Sequence, residues 1–348
     1  MKCADPKLCY TNPNGNKIIR HFSLASPILK ISAQRVFNCG TCVNCRPRKS
    51  AELAMRCVLH ASLYKQNCFL TLTYNEKKEG YHNETNYPDI QKFKKDLRQL
   101  ANTTEYSHSR TRKLKRRRVP KYLYKKIEIF NVHEYGKNGK KHWHLIVFNF
   151  KPTDCMSYSS NKGNPLYTSE ILGSIWDYGF HTIGDVSEAS AMYQAQYTQK
   201  DLKNGNQTSK KKSKSNHSGI GKAYFLQNYS QILRLGYIPF AGRKSPVCRY
   251  FEKLAHRHYC HFYEPNAFYD FPKRKRLYSP FTKEKPNLEI ANLFANYKET
   301  KQNKITEYEQ QWEEFIRSEA FSKELADFTK SGANNLYDLR NKQQLEKF

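Results

Sequence analysis

Residues 127–148 constrain the fold of this chain more than any other segment, because they predict a β-hairpin. An alternating run that includes Glu134 is followed by an Asn-Gly turn and by a second β-forming run. On a strand, side chains two positions apart share a face, so His142 and His144 project side by side while Trp143 points the other way. The hairpin also brings Glu134 close to the two histidines.

The histidine pair and Glu134 together predict a metal site. Two imidazoles and one carboxylate form a mixed nitrogen and oxygen ligand set with open coordination positions, which suits Mg²⁺ or Mn²⁺ in phosphate chemistry. The alternative interpretation of His142 and His144 is two half-buried polar residues on a strand. Other features of the sequence are needed to decide between these two interpretations.

A second candidate constellation lies in residues 187–200, where two tyrosines are spaced to share one helix face. Ser187 is a suitable N-cap, and Tyr193, Tyr197 and Lys200 form one stripe along the predicted helix. Tyrosine is a known type of covalent nucleophile, and a nearby metal or other cation helps to expose its phenolate. The alternative is ordinary amphipathic packing of the two rings.

The charge of the chain favours a polyanionic partner. Lysine and arginine number 60 against 31 aspartates and glutamates, which gives a formal net charge of +29. Such an excess favours nucleic acid through the release of counterions. A membrane surface is the competing polyanion, but we find neither a signal-peptide pattern nor an apolar run of about 18 residues. We therefore expect a soluble intracellular protein that binds nucleic acid, without a membrane partner.

A dense basic run and the abundant aromatic residues support the same expectation. Six of the seven residues in 112–118 are positively charged, and they repel one another unless phosphates lie near. The alternative for this run is a solvated loop. Aromatic residues make up 14% of the chain and suit single strands, whose bases stack on rings. The predicted DNA-binding residues are Arg112, Lys113, Lys115, Arg116, Arg117 and Arg118.

The cysteines predict a metal knuckle near the N-terminus. Three of the ten cysteines are clustered, as Cys39, Cys42 and Cys45, and Cys-x2-Cys spacing in an intracellular protein indicates metal binding before disulfides. Zinc requires four ligands, and either Cys3 or Cys9 is the natural fourth; we favour Cys3. An iron–sulfur cluster is less favoured, because position 49 is a lysine where a further cysteine is expected. Reduced thiols in a loop are the alternative.

Sequence patterns also outline the secondary structure. Helices are expected over residues 48–66, 89–100 and 167–178, and again in the polar segment from about residue 285. Strands are expected over 69–74 and 179–186, and a strand–turn–strand over 237–250. The intervening segments 1–47, 151–166 and 203–218 are expected to be loops. No phosphate-binding Gly-x4-Gly-Lys-Ser/Thr motif is present in the sequence.

In their order and spacing, several of these motifs resemble the replication initiator proteins of gokushovirus-type microviruses, which belong to the HUH endonuclease superfamily. The resemblance covers residues 1–260, whereas residues 261–348 resemble nothing familiar. Trp143 is a mild departure, because an aliphatic residue or tyrosine is more usual between the histidines. The resemblance depends on these segments: Cys39–Arg46, Phe69–Tyr74, Tyr87–Arg98, Glu134–Gly136, His142–His144, Ile175–Gly179, Tyr193–Lys200 and Gly219–Gly221.

The resemblance implies an α+β fold with an RRM-like HUH endonuclease core. The core would be a five-stranded antiparallel sheet with helices packed on its back, with Phe69–Tyr74 as a central strand and the tyrosine helix over the sheet. A Cys-rich N-terminal segment (1–66) would precede the endonuclease domain (67–260), and a mainly helical extension (261–348) would follow it.

The resemblance also implies an activity. Such proteins nick the origin strand of viral duplex DNA by tyrosine transesterification, stay on the 5′ phosphate, and later rejoin the ends to release single-stranded circles. Tyr193, Tyr197 and Lys200 would be catalytic, and His142, His144 and Glu134 would bind Mg²⁺ or Mn²⁺. The partners would be viral origin DNA, duplex and single-stranded, together with the helicase and DNA polymerase of the bacterial host, in whose cytoplasm the protein would act.

Two rival classes remain open at this stage. One is a non-catalytic, basic, zinc-containing protein that binds RNA or DNA; it explains the charge and the cysteines but leaves the Glu/His/His and Tyr/Tyr/Lys constellations coincidental. The other is an HUH transposase or relaxase, which shares the histidine pair. We find no relaxase helicase region, and the N-terminal knuckle fits the phage type better.

Overall fold

The structure is a computed structural model, and it divides the chain into two compact units, residues 1–49 with 298–348 and residues 50–297. It describes only part of the chain. The described residues are 3, 6–11, 17–21, 25, 35–77, 87–107, 114–118, 120, 124–136, 139–161, 163–200, 212–214, 219–264, 269–270, 275–276, 285–302, 314, 317–318 and 322–323.

The described residues form an α+β arrangement, as predicted. The strands are β1 (Lys7–Thr11), β2 (Lys17–His21), β3 (Arg35–Phe37), β4 (Asn67–Tyr74), β5 (Thr103–Ser107), β6 (Leu114–Arg118), β7 (Glu128–Tyr135), β8 (Lys141–Phe148), β9 (Met156–Asn161), β10 (Asn164–Thr168), β11 (Gly179–Gly184), β12 (Lys212–Lys214), β13 (Tyr237–Phe240), β14 (Arg243–Pro246), β15 (Tyr269–Asp270) and β16 (Lys275–Arg276). The helices are α1 (Cys45–Ala61), α2 (Tyr87–Leu100), α3 (Glu170–Gly173), α4 (Glu188–Lys200), α5 (Lys222–Leu235), α6 (Arg249–Tyr263) and α7 (Leu288–Gln302).

The main sheet has seven strands in the order β12-β7-β8-β4-β11-β10-β9, and every neighbouring pair is antiparallel. The prediction that Phe69–Tyr74 forms a central strand beside the histidine hairpin is confirmed, since β4 lies between β8 and β11. The prediction of five strands is wrong. Segment 151–166 was expected to be a loop, but it contains β9 and the start of β10, which form a hairpin that extends the sheet.

One face of the main sheet packs on α2 and α3. The helical period of α2 places Ile90, Phe93 and Leu97 on one buried face, as predicted. They form a hydrophobic core with the inward side chains of β4, β7 and β8. Those side chains are Cys68, Leu70, Leu72, Tyr74, Ile129, Trp143, Leu145 and Val147.

The opposite face of the sheet packs on α1 and α4. Phe130, Val132, Ile146 and Phe148 alternate with the residues of the first face and are buried against the two helices. Helices therefore cover both faces, whereas the prediction placed them on the back with the tyrosine helix over the sheet. The small residues Ala54, Cys57, Ala191 and Ala195 line the helix side of this core.

A second group of helices builds another hydrophobic core in the same unit. Phe225 on α5, Phe251 on α6 and Phe294 on α7 pack together with side chains of α1 and of the β13–β14 hairpin. The strand–turn–strand prediction for 237–250 is confirmed up to Pro246, where β14 ends before α6 begins. The polar segment after residue 285 begins as a helix, as predicted, and Ile290 of that helix is buried in this core.

Three further expectations from the sequence are corrected. Segment 1–47 is not only loop, because β1, β2 and β3 form a three-stranded sheet in the order β2-β1-β3. Segment 167–178 holds only the short helix α3, because the chain remains in β10 up to Thr168. Part of the basic run lies on β6, which pairs with β5. Among the helices of the described residues, none combines the length and apolarity needed to cross a membrane.

Candidate active site

The hairpin β7–β8 places Glu134 directly opposite His142, and Val132 opposite His144. The backbone closes the turn with a hydrogen bond from the Gly136 N–H to the Lys140 carbonyl. The two imidazole rings project from one face of β8 with their centroids 6.3 Å apart.

Trp143 points to the opposite face, as the alternation predicts. It is fully buried there, and its indole N–H donates to the Tyr74 hydroxyl at 3.1 Å. The residue between the histidines therefore anchors β8 in the first core, while the histidines stay on the other side of the sheet.

Two threonines on β4 hold the histidine rings, and sequence reasoning missed them. The register pairs Thr71 with His144 and Thr73 with His142. The Oγ1 atom of Thr71 lies 3.1 Å from Nδ1 of His144, and that of Thr73 lies 2.9 Å from Nδ1 of His142. With each Nδ1 engaged, each ring presents Nε2 for other contacts. The alternation Phe-Leu-Thr-Leu-Thr was the available signal, but only the strand register links it to the histidines.

Glu134 contacts the histidine pair through its carboxylate. Its Oε2 atom lies 3.0 Å from Nε2 of His144, and both side chains are largely buried. Nε2 of His142 faces Gly136, where a Cβ atom would lie only 2.9 Å away, so the space for this ring depends on a glycine. Burial, with His144 nearby, lowers the pKa of His142, which favours the neutral imidazole that a metal requires.

Helix α4 lies over this face of the sheet. Ala191 and Ala195 are fully buried against it, and the Gln194 amide donates to the Phe130 carbonyl at 2.6 Å. The predicted cap is confirmed, because Oγ of Ser187 accepts a hydrogen bond from the Ser190 N–H at 3.2 Å. Small residues and one amide therefore fix the helix close to β7 and β8.

The same helix brings both tyrosines to the histidine–carboxylate cluster. The Tyr193 hydroxyl donates to Oε2 of Glu134 at 3.4 Å, and the ring of Tyr193 remains 43% exposed. The Tyr197 ring stacks on His144, with centroids 5.8 Å apart and planes 24° apart. The two tyrosine rings also contact each other edge to face, with centroids 4.8 Å apart. One carboxylate and one imidazole are thus shared by two phenols.

The environment keeps both phenols protonated. Burial raises the pKa of Tyr193, and the Glu134 carboxylate adds to the effect. Burial raises the pKa of Tyr197 as well, with hydrogen bonds to Glu134 and Tyr193 adding to it. A phenolate nucleophile at this position would therefore need a compensating positive charge close by.

The other predicted catalytic and DNA-binding residues are only partly described. Lys200 is the last residue of α4, but its side chain lies outside the described part of the structure. Arg112 and Lys113 lie outside the described residues altogether. Lys115, Arg116, Arg117 and Arg118 lie on β6, opposite β5, and the structure describes only their backbone.

The donor set at the histidine pair fits a divalent cation. Two imidazoles are held through Nδ1 by threonine hydroxyls, and one carboxylate already contacts an Nε2 atom. Mixed imidazole and carboxylate ligands suit Mn²⁺, and a carboxylate with water suits Mg²⁺. His142, His144 and Glu134 are the residues that would hold such an ion.

The four N-terminal cysteines form a separate cluster. The Sγ atoms of Cys3, Cys39, Cys42 and Cys45 lie within 4.8 Å of one another. Individual sulfur pairs lie 3.5–3.9 Å apart, close to the roughly 3.8 Å that tetrahedral zinc with Zn–S bonds of about 2.3 Å requires. Cys9 lies on β1 and is not in the cluster. Burial raises the pKa of the Cys45 thiol to about 12, so a thiolate there needs a cation. The arrangement is compatible with structural zinc.

Comparisons with known proteins identify the class to which this fold and site belong. Residues 67–202 match the ORF2 family of replication-associated proteins. This range contains β4, the β7–β8 hairpin and the tyrosine helix α4. No solved structure matches the chain.

Three curated phage proteins are similar to most of the chain. The replication-associated protein VP4 of Bdellovibrio phage phiMH2K is 28% identical over 72% of this chain and 76% of its own length. Replication-associated protein ORF4 of Chlamydia phage 1 is 28% identical over 69% of this chain, which spans 59% of that protein. Replication-associated protein ORF2 of Spiroplasma virus 4 is 29% identical over 79% of this chain and 86% of its own length. These matches confirm the resemblance: the chain is related to the replication-associated proteins of microviruses.

Proposed function

We propose that this protein is an HUH-type endonuclease that initiates rolling-circle replication by nicking the origin strand of viral duplex DNA. The observation that carries the proposal is the packing of two tyrosine side chains of α4 against Glu134 and His144. This arrangement combines two nucleophile candidates with a metal-ligand set on a strongly basic chain. Its relatives are named replication-associated proteins.

The proposed cleavage is a transesterification. The phenol oxygen of Tyr193 or Tyr197 attacks the scissile phosphorus, an oxygen–phosphorus bond forms, and the bond from phosphorus to the 3′ oxygen breaks. The phenol loses its proton and the departing 3′ oxygen takes one up, so no external reactant is consumed. The Tyr193 hydroxyl already donates to Glu134, which orients that hydrogen away from the attacking lone pairs. The product is a 5′ phosphotyrosine ester and a free 3′-hydroxyl that primes synthesis.

His142, His144 and Glu134 would hold Mg²⁺ or Mn²⁺ beside the reacting phosphate. When bound, the ion would supply positive charge to the non-bridging phosphate oxygens and to the alkoxide. Thr71 and Thr73 fix the ring orientation of the two histidines. The carboxylate of Glu134 therefore has two tasks, as a ligand and as the hydrogen-bond acceptor of a tyrosine.

Two tyrosines on one helix face would explain how a unit-length circle is released. One tyrosine stays esterified to the old 5′ end while the other cuts the regenerated origin. The new 3′-hydroxyl then attacks the first ester and closes the circle. Since the ester retains the free energy of the phosphodiester bond, this joining step needs no ATP.

The proposal includes a division of labour along the chain. Residues 67–260 would form the endonuclease domain, 1–66 a Cys-rich segment with structural zinc, and 261–348 a helical extension. Lys200 would contact the scissile phosphate, and the basic residues of 112–118 would bind the DNA backbone. The protein would work in the cytoplasm of the bacterial host, on duplex and single-stranded origin DNA, with the host helicase and DNA polymerase.

The direct test is adduct formation. The full-length protein would be incubated with Mn²⁺ and supercoiled plasmid carrying the viral origin, and the covalent 5′ adduct would be mapped by mass spectrometry. We expect an adduct on Tyr193 or Tyr197 and none with the His142→Ala/His144→Ala variant, which should still bind duplex because phosphate contacts supply most of the affinity. Nicking by that variant at the wild-type rate would disprove the metal assignment. Binding without any nicking by the wild type would favour the non-catalytic alternative.

A further inference from the structure

Helix α6 carries a second cluster of metal-ligand types, far along the chain from the cysteine knuckle. His256, Cys260 and Glu264 follow one another at intervals of four residues, so they lie on one face of the helix and its C-cap. Their ligand atoms all lie within 4.8 Å of one another. Nothing in the proposed nuclease mechanism uses these residues.

The separations of these atoms match those around a shared ion. Sγ of Cys260 lies 3.4 Å from Nε2 of His256 and 3.8 Å from Oε2 of Glu264. Around tetrahedral zinc, with bonds of about 2.0–2.3 Å, neighbouring sulfur, nitrogen and oxygen ligands lie roughly 3.5 Å apart. The helix end also fixes the third residue, because the Glu264 N–H donates to the Cys260 carbonyl at 3.1 Å.

Burial and charge both suit a zinc ion. Cys260 is only 1% exposed, whereas His256 and Glu264 are exposed, so a cation could enter from solvent and reach the thiolate. One thiolate and one carboxylate neutralise the two charges of the ion, and the imidazole adds a neutral ligand. A thiolate ligand selects Zn²⁺ over Mg²⁺ and Ca²⁺.

We propose that His256, Cys260 and Glu264 form a zinc site with water in the fourth coordination position. The ion would tie two turns of α6 together across the helix C-terminus, beside the core that α6 shares with α7. Binding would release the Cys260 thiol proton, so zinc affinity should rise with pH. This proposal is independent of the nuclease assignment.

The test compares the zinc content of full-length variants that all retain the N-terminal knuckle. After chelation and reloading with Zn²⁺, the wild type should hold one zinc per chain more than Cys260→Ser. Cys155→Ser, which removes a thiol outside both clusters, should hold as much as the wild type. In protein reloaded with Co²⁺, the charge-transfer absorption of one thiolate should be missing from Cys260→Ser alone.

A second variant keeps the test decisive if Cys260→Ser disturbs the core. His256→Gln changes an exposed residue and should lose the same zinc while the far-ultraviolet circular dichroism stays unchanged. Equal zinc content in the wild type and in folded His256→Gln, with identical Co²⁺ spectra, would overturn the proposal.

A different observation concerns Phe180, which is 66% exposed on the main sheet. Phe180 lies directly opposite Thr73 on β4, and Thr73 lies opposite His142 on β8. His142 in turn lies opposite Glu134 on β7. Residues directly opposite on neighbouring strands share a face, so Phe180 is in one row with the proposed ligands. Two strand spacings, roughly 10 Å, separate it from His142.

An exposed aromatic ring in this position is suited to stacking with a base. Because the chain is strongly basic, single-stranded DNA is the polyanion that combines phosphates with stacking rings. We propose, on the basis of the nuclease function proposed above, that Phe180 stacks on one base beside the scissile phosphate and sets the register of the strand. It would act as a positioning residue rather than as a catalytic one.

Binding measured in the presence of a chelator tests this role without any cleavage. Phe180→Ala should weaken the binding of a single-stranded origin oligonucleotide roughly 5- to 150-fold, the range expected for the loss of one stacked base. Phe180→Trp should restore the affinity. Phe262→Ala, at another exposed aromatic residue on α6, is the matched control and should have no effect.

Oligonucleotides with single abasic positions make the test specific to one base. At one position near the nick, removal of the base should weaken wild-type binding but should have no further effect on Phe180→Ala. Additive losses at every position would overturn the stacking assignment. If the wild type binds in this pattern but never forms an adduct, only the nuclease proposal fails.

Discussion

The Thr73 hydroxyl lies 2.9 Å from Nδ1 of His142, and the two residues are paired directly across β4 and β8. Thr71 and His144 repeat this relationship two residues away, with 3.1 Å between the corresponding atoms. A histidine that binds metal through Nε2 usually engages its other nitrogen with a hydrogen-bonding group, which fixes the ring orientation. The central strand therefore contributes to the site without supplying a ligand.

Removing the Thr73 hydroxyl should weaken metal binding while preserving the fold. For Thr73→Val we expect a 10- to 100-fold rise in the Mn²⁺ concentration that gives half-maximal adduct formation, the usual effect of losing such a partner. Thr73→Ser should behave like the wild type, because it keeps the hydroxyl. Thr182→Val, on the neighbouring strand, is the control. An unchanged Mn²⁺ requirement in Thr73→Val would contradict the assigned role.

Gly136→Ala should displace His142. A Cβ atom at this position would lie 2.9 Å from Nε2 of His142, closer than side chains tolerate. The expected result is a higher Mn²⁺ requirement and slower adduct formation, with a melting temperature near that of the wild type. Gly184→Ala is the matched control, because its nearest neighbour would be a Leu166 methyl group at 3.9 Å. Equal Mn²⁺ requirements for the two variants would show that His142 is not held at this distance.

Loss of one knuckle cysteine should remove zinc from the N-terminal unit. Cys42→Ser should bind one zinc per chain less than the wild type and should be cut faster by protease within residues 1–49, since a structural zinc contributes folding free energy directly. Cys9→Ser provides the control, because Cys9 is nearby on β1 but is not part of the sulfur cluster. Identical zinc contents in Cys42→Ser and Cys9→Ser would rule out the knuckle.

Neutralising the basic residues of β6 should weaken DNA binding without changing its sequence preference. Phosphate contacts position a protein but carry little sequence information, so Arg116→Gln/Arg117→Gln/Arg118→Gln should lose affinity equally for origin and random duplex. The slope of log K against log salt should become shallower by roughly 2 to 3, about 0.9 for each phosphate that is no longer neutralised. Lysine at all three positions should retain the slope. A slope that is flat already in the wild type would mean that the net charge is not used on DNA.

The elements with a strong local pattern were predictable from the sequence. The hairpin follows from alternation around an Asn-Gly turn, and α2 follows from the period of Ile90, Phe93 and Leu97. The edge hairpin β9–β10 was not predictable, because its residues are mostly polar and exposed and carry no alternation that marks a buried face. In 1–47 the strands are short, and the cysteines suggested loops.

The chemistry was predictable only where ligand and nucleophile types are close in sequence. His142, Glu134 and the tyrosine pair lie within one hairpin and one helix. Thr71 and Thr73 reach the site through the register of β4 with β8, which depends on long-range packing and leaves no local signal. The same limit applies to Phe180, whose row with His142 spans three strands.

The last prediction separates the roles of the two tyrosines, which differ in environment although they share Glu134. Tyr193 is half exposed and donates to Glu134, whereas Tyr197 stacks on His144. On a short single-stranded origin oligonucleotide with Mn²⁺, at least one of Tyr193→Phe and Tyr197→Phe should still form a covalent adduct, because one phenol suffices for one cut. The double variant should form none, and Tyr237→Phe, outside the site, should react as the wild type does. On a circular template with polymerase and helicase, neither single variant should release unit-length circles efficiently, since the second cut needs a free phenol while the first is esterified. An adduct in the double variant, mapped to another residue, would refute the tyrosine mechanism. Efficient circle release by both single variants would refute only the requirement for two.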